Sequence, residues 1–302
     1  MLFQPVPRGE LAEGLASPTR DALAKPTRKD FSRVKPMHSS SLDSRGQTAR
    51  CRVAGWTAYR VASADLPSLR QQPLVLQGTP LAPSFLKHAD EQTIAGLTAV
   101  AKVLREHGLE DTDFSQWGVI ASPRFLGRAA LAVALSRFAA EGAWGISPHL
   151  IPHRSLHALS GTVSQALKIH GPNYGVGGGI DGAAEALLAA SALLANDELP
   201  GLWVVLTGYD PELVPGDPLD NAAQPSAANC MAVALALIPP GKGHAGPVLS
   251  VGAGEGGCDL ADLTLEQFAD TLANGEPLAR WNLPCGGWAA WDDTETAVEI
   301  CL

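Results

Sequence analysis

The side chains of this 302-residue chain that could act as nucleophiles, bases or metal ligands are few: five cysteines, eight histidines and some clustered carboxylates. Cys285, in the run NLPCGGW, has the form of a thiol nucleophile with neighbouring glycine amides as an oxyanion hole. No histidine lies near it in sequence, and free cysteines more often serve as small buried hydrophobes. His149, His153 and His157 are spaced by four, which on a continuous helix puts three imidazoles on one face, able to hold zinc or nickel. Pro152 removes an amide donor and biases its neighbour away from helix, so the reading here is loop and helix-start histidines without a metal. Gly177 to Gly182, GGGIDG, satisfies G-x-G-x-x-G ahead of a helix, but Lys168 to Tyr174 is not the apolar parallel strand that a dinucleotide fingerprint requires. Asp292, Asp293 and Glu295 form an acidic run of the kind usually solvated, and His244 lies in GKGHAG between two strand candidates.

The elements that must position these groups alternate between short β-like runs and helical ones. Arg52 to Tyr59 and Pro73 to Gln77 read as strands, followed by a helix from Glu91 to His107 that Gly108 stops. Trp117 to Ala121 is a buried-strand pattern, and Leu126 to Ala140 carries apolar residues at helical spacing up to Gly142. A helix over Ser155 to Leu167, the glycine turn, and a helix over Gly182 to Ala195 come next, then a strand at Leu202 to Leu206. Beyond the Pro-rich loop Pro211 to Pro225, Cys230 to Ile238 and Pro247 to Val251 are positioned to pair as a hairpin. A further helix is expected at Leu263 to Ala273, before a tail rich in tryptophan. This order argues for a layered α/β domain over 51–252, with a short C-terminal segment over 253–302.

Residues 1–50 differ in composition, with five prolines, a serine run and more basic than acidic groups. They read as a flexible arm: a docking tail for an acidic partner, a solvated extension, or an upstream start-codon choice with Met37 as the real beginning. Hydrophobic residues make up 46% of the chain and charged ones 18%, enough for a sizeable core. The net charge of -9 and pI near 5.3 argue against nucleic-acid or anionic-membrane binding. The apolar run Ala183 to Leu194 is short of the roughly 20 residues of a membrane span. Scattered, odd-numbered cysteines with no secretory leader fit reduced thiols in a cytoplasmic protein.

His170 to Glu185, HGPNYGVGGGIDGAAE, running into Ala186 to Leu194, resembles the active-site turn of β-ketoacyl synthases. There, Gly-Pro-Asn/Ser opens a buried strand, small residues carry a sharp turn, and a cysteine begins a central helix. Two further elements follow the family order. Gly145 to Pro152 is similar to its S-P-x-x-I-P approach, with His157 to Leu167 like the helix after it. Leu202 to Glu212 resembles the strand ending in a Gly-Gly-x-Glu turn, with Tyr209-Asp210 in place of the usual glycines. Together they cover Trp117 to Val251.

The resemblance implies a thiolase-like layered α/β fold, with one complete half and a truncated second half. It puts Ile180 at the nucleophile position, where a side chain with no lone pair cannot form an acyl-enzyme. Both second-half histidine motifs are missing, since His244 is the sole histidine after Gly171. Gly177, Gly178, Gly179, Ile180 and Asp181 then form a vestigial active-site turn, and Asn173, Tyr174, Gly175 and Val176 correspond to the family's dimer-interface strand. The helix beginning at Gly182, apolar on nearly every face, is expected to be enclosed. By this resemblance the chain is expected to be a chain-length-factor-like pseudoenzyme without cofactor. It would partner an active ketosynthase subunit, or itself as a dimer, together with acyl carrier protein, in fatty-acid, polyketide or aryl-polyene assembly. The alternatives are a thioester acyl transferase or hydrolase using Cys285 or a pocket histidine, and a purely structural oligomer.

Overall fold

A computed structural model of the chain describes residues 48–195, 198–213, 215, 228–240, 246–254, 260–284 and 286–293. The arm expected over 1–50 lies outside these, apart from its last three residues, which open strand β1 (Thr48–Ala62). Helix α1 (Leu66–Gln71) and the two-stranded ladder of β2 (Val75–Leu76) and β3 (Thr79–Pro80) lead to α2 (Glu91–Glu106). After β4 (Gly118–Pro123) come α3 (Arg128–Glu141), α4 (Leu150–Arg154) and α5 (His157–Leu167). The short β5 (Asn173–Gly175) runs through the glycine turn into α6 (Gly182–Leu194), followed by β6 (Leu202–Asp210) and β7 (Asn229–Ile238). The last elements are β8 (Val248–Gly252), α7 (Leu265–Asn274), β9 (Leu278–Asn282) and β10 (Trp288–Asp292).

Eight strands form one sheet in the order β5-β4-β6-β7-β1-β8-β10-β9. β4 is parallel to β5 and β6, and every other neighbouring pair in this sheet is antiparallel. The two-residue period of a strand sorts the core into two layers. From β7, Cys230, Ala232, Ala234 and Ala236 join the cluster under α2 and α5, while Met231, Val233, Leu235 and Leu237 join the cluster under α6 and α7. With both faces covered, β7 reads as a continuous apolar run instead of an alternation.

Two expectations need correcting. β7 and β8 do not form a hairpin, because the 15-residue β1 lies between them and pairs with both: Arg52 opposes Ile238 on one side and Val248 on the other. Helix α6 is buried along the side facing the sheet, but Glu185 and Ala192 are exposed, so it is not enclosed. The residues beyond Gly252 add α7, β9 and β10 to the far edge of this same sheet.

Candidate functional site

The parallel strands β4, β5 and β6 release the chain at one end of the sheet, where open α/β sheets form their crevices. Ser122 and Arg124 leave β4 there, Thr207 lies near the end of β6, and the turn from Gly175 to Asp181 crosses between β5 and α6. A small cleft at this end is lined by Ser122, Arg124, Ile180, Ala183, Thr207 and Leu265 among others, and among the described residues no cysteine or histidine is in its wall. Ile180 sits at the mouth, 65% exposed.

The turn is built on close backbone approaches. Gly178 has φ +101°, and a Cβ there would lie 2.6 Å from the Leu156 side chain. At Gly175 a Cβ would meet the Leu156 carbonyl oxygen at 2.3 Å. By contrast Gly179 has ordinary φ and open space around it, so the bend does not depend on it. The Phe125 amide donates to the Gly178 carbonyl at 2.9 Å, tying the turn to the end of β4. Asp181 precedes α6 without a side-chain cap; its carbonyl accepts from the Glu185 amide at 3.0 Å. The Glu185 carboxylate lies over Gly177, within 2.6 Å of where a Cβ would stand, and puts negative charge where a dinucleotide pyrophosphate would have to bind. Ser122 Oγ is buried, packed against Gly182, with no hydrogen-bond partner among the described residues.

Behind this turn lies a charged network with no signature in the sequence. The buried Arg124 guanidinium contacts Glu212 at 3.1 Å and Glu266 at 2.6 Å, and donates to the Tyr209 carbonyl. Gln92 donates to the Arg124 carbonyl and accepts from the Thr207 hydroxyl, both at 2.9 Å. Burial raises the Glu212 carboxyl above the usual carboxylate range even though Arg124 pulls it back. Close by, Arg154 pairs with Asp90 at 3.1 Å, and burial pushes Asp90 up to about 6 against the attraction of that arginine. Asp90 also caps α2, accepting from the Gln92 amide at 2.9 Å.

Other sequence candidates are dispersed. Pro152 lies inside α4, in the first turn, where a missing amide is harmless, so it does not prevent a helix there. His149 and His153 accordingly lie close together, while His157 starts the separate α5 and faces Ser160, with Nδ1 3.2 Å from its hydroxyl. Cys285, His244 and Glu295 lie outside the described residues. The free cysteines Cys51 and Cys230 are buried in β1 and β7, where desolvation raises both thiols, Cys51 to about 12, so neither supplies a thiolate. Asp292 belongs to β10. Asn173 to Val176 place β5 at the edge of the sheet, hydrogen-bonded on one side, to β4.

Comparison with known proteins places this geometry. No family model matches the sequence, and no curated protein matches it. Among solved structures, a ketosynthase in complex with its chain length factor from Xenorhabdus doucetiae matches with a TM-score of 0.52 at 14% identity, over 80% of this chain and 98% of that one. The ishigamide ketosynthase/chain length factor matches with a TM-score of 0.46 at 16% identity, over 67% of this chain and 65% of that one. A type II polyketide acyl-carrier protein in complex with its ketosynthase bound to the hexaketide gives 0.44 at 14% identity, over 63% and 62%. The chain thus spans under two thirds of the last two and nearly all of the first. With a layered α/β sheet and the parallel-strand turn carrying Ile180, the chain has the thiolase-like fold of ketosynthases and chain length factors.

Proposed function

We propose that the chain is a non-condensing, chain-length-factor-like subunit that docks on an active ketosynthase in fatty-acid, polyketide or aryl-polyene assembly, with the acyl group carried by an acyl carrier protein. The observation that carries this reading is α3: its 14 residues have none buried, although they include Leu131, Val133, Leu135 and Phe138. Large apolar side chains left exposed together along one helix mark an interaction surface, so this one calls for a second chain to cover it.

Trp144, 98% exposed, continues the apolar surface beyond α3, and Ile151, Leu156, Tyr174 and Ile180 are exposed on the neighbouring segments. The hydrogen bond from Phe125 to Gly178 links the approach to α3 with the glycine turn, and β5 offers an open strand edge beyond it. The replacement of the nucleophile by Ile180, in a cleft whose described lining holds no thiol or imidazole, supports loss of condensation, and the match over 98% of a chain in a ketosynthase–chain length factor complex supports the kind of partner. No described helix is long and apolar enough to cross a membrane. A soluble cytoplasmic complex is part of this proposal.

Purification of the tagged chain from its native host, followed by mass spectrometry, tests it. A stoichiometric ketosynthase and a changed product length on deletion are expected. A stable monomer with no ketosynthase overturns the proposal.

A further inference from the structure

We infer that the open face of β1, β8, β10 and β9 is a docking surface for an acidic amphipathic helix of a second protein, separate from the ketosynthase face. A trough of about 410 Å³ lies there, walled by strand residues that include Arg50, Ser250, Arg280, Trp288 and Ala290. Strand pairing puts Arg50, Ser250, Ala290 and Arg280 on one rung across the four strands, so the two arginines stand on either side of a floor of small side chains. Trp288 closes one end. Its indole lies so close over Gly252 that a Cβ there would collide with it, and the Arg280 guanidinium sits 5.2 Å from the ring centroid. Leu278, 62% exposed, and Asp292 lie toward the other end. The opposite face of these strands, with Cys51, Leu249, Val251, Ala289 and Trp291, belongs to the buried cluster under α6 and α7.

This face is basic on an acidic chain. Arg52 stands two residues beyond Arg50 on the same side of β1, so among the described residues three arginines meet one carboxylate, Asp292, on a chain of net charge -9. None of the three pairs with a carboxylate among the described residues: Arg52 donates to the Gly246 carbonyl at 3.3 Å, Arg280 lies on the indole, and Arg50 is exposed. Their charge is therefore uncompensated and draws an acidic partner. The shape specifies a helix. Three interstrand spacings separate β1 from β9, about 14 Å, which admits a helix about 10–12 Å across. Arg50 and Arg52 are about 7 Å apart along β1, matching carboxylates at i and i+4 of a helix laid along the strands, about 6 Å apart, while Arg280 meets a carboxylate on its other flank. Ser250 and Ala290 leave room for the small apolar stripe between. On this same side of the sheet α2 covers β7 and part of β1, so the partner extends an existing helical layer. β5 and β9 are opposite edges of the eight-stranded sheet, about 34 Å apart, so both surfaces can be filled at once and this inference does not rest on the ketosynthase reading.

The test uses the full chain and a fluorescein-labelled helical peptide of alanine and leucine with glutamates at i and i+4 on both flanks, read by anisotropy at pH 7.5. Saturable one-to-one binding that weakens as salt is raised is expected, with no binding of the same peptide carrying lysine for glutamate. Arg50→Glu and Arg280→Glu should each weaken it by roughly 5-fold, since an exposed attraction becomes a repulsion. Both side chains are exposed, so these variants keep the fold. Leu135→Asp with Phe138→Asp, on the ketosynthase face, should leave peptide binding unchanged. For the native partner, a benzophenone photo-crosslinker in place of Ser250, irradiated in the native host, should join the trough to a peptide that mass spectrometry reads as an acidic helical segment of another protein. No saturable binding, equal binding of the lysine peptide, indifference to both charge reversals, displacement by inorganic phosphate at constant ionic strength, or a crosslink to a second copy or to this same chain would each overturn the surface.

Discussion

Arg124→Met tests the claim that one buried guanidinium locks the end of the sheet that carries the glycine turn. The side chain of Arg124 is 10% exposed and touches Glu212 and Glu266, whose side chains are 20% and 30% exposed, so the substitution strands two carboxylates and the Tyr209 carbonyl together. Removing one partner of a buried ion pair costs roughly 3–5 kcal/mol. The lower end applies because both glutamates retain some water, giving about 3 kcal/mol, or a melting temperature lower by about 6–12 °C for a chain of this size. Urea denaturation at pH 7.5 reads the first number and a thermal melt the second.

Acid should narrow the gap, and the sign follows from proton linkage. Glu212 already has a carboxyl raised by burial, and loss of Arg124 removes an attraction that lowered it. Its pKa in the folded variant then lies still further above the unfolded value. Folding of the variant therefore takes up protons, and stability is regained as the pH falls through the folded value. The difference from wild type should be smaller at pH 5 than at pH 7.5, and Arg124→Met combined with Glu212→Gln and Glu266→Gln should recover part of the loss. A loss below about 1 kcal/mol, or a gap that does not shrink in acid, would show that these carboxylates are solvated and that the network does not hold the site.

Gly178→Val adds a branched side chain at φ +101° against Leu156, so about 3 kcal/mol of stability should go, measurable by urea denaturation; an unchanged midpoint would contradict the described bend. Ile180→Cys should be alkylated readily by iodoacetamide at pH 8 in the native state, because the position is exposed, whereas Cys51, raised to about 12 by burial, stays unlabelled until the chain unfolds. The same variant should make no ketoacyl product, since no imidazole lines the cleft among the described residues; radiolabelled extender assays would detect the contrary. Leu135→Asp with Phe138→Asp should leave the melting temperature within about 2 °C while abolishing ketosynthase capture in pull-downs, because these side chains are exposed in the isolated chain.

Apolar periodicity and glycine placement determined much of this protein in advance. The strands β4, β6 and β7, the helices α2, α5 and α6, and the turn with Ile180 at its mouth are each written in short, contiguous stretches whose local conformational limits do not depend on distant residues. Sheet order was a different matter. The apolar runs of β7 and β8 are close in sequence and look like a hairpin, and only the folded chain shows β1 between them, because strand pairing is chosen by the burial of whole faces. α3 carries apolar residues at helical spacing, which say that it is a helix and cannot say that none of its faces meets the core. The contacts that hold the site together, Arg124 with Glu212 across 88 positions of sequence and Arg154 with Asp90, were decided by tertiary structure alone. A charged side chain announces its need for a partner, but which carboxylate it meets depends on where the sheet and its flanking helices bring the chain back.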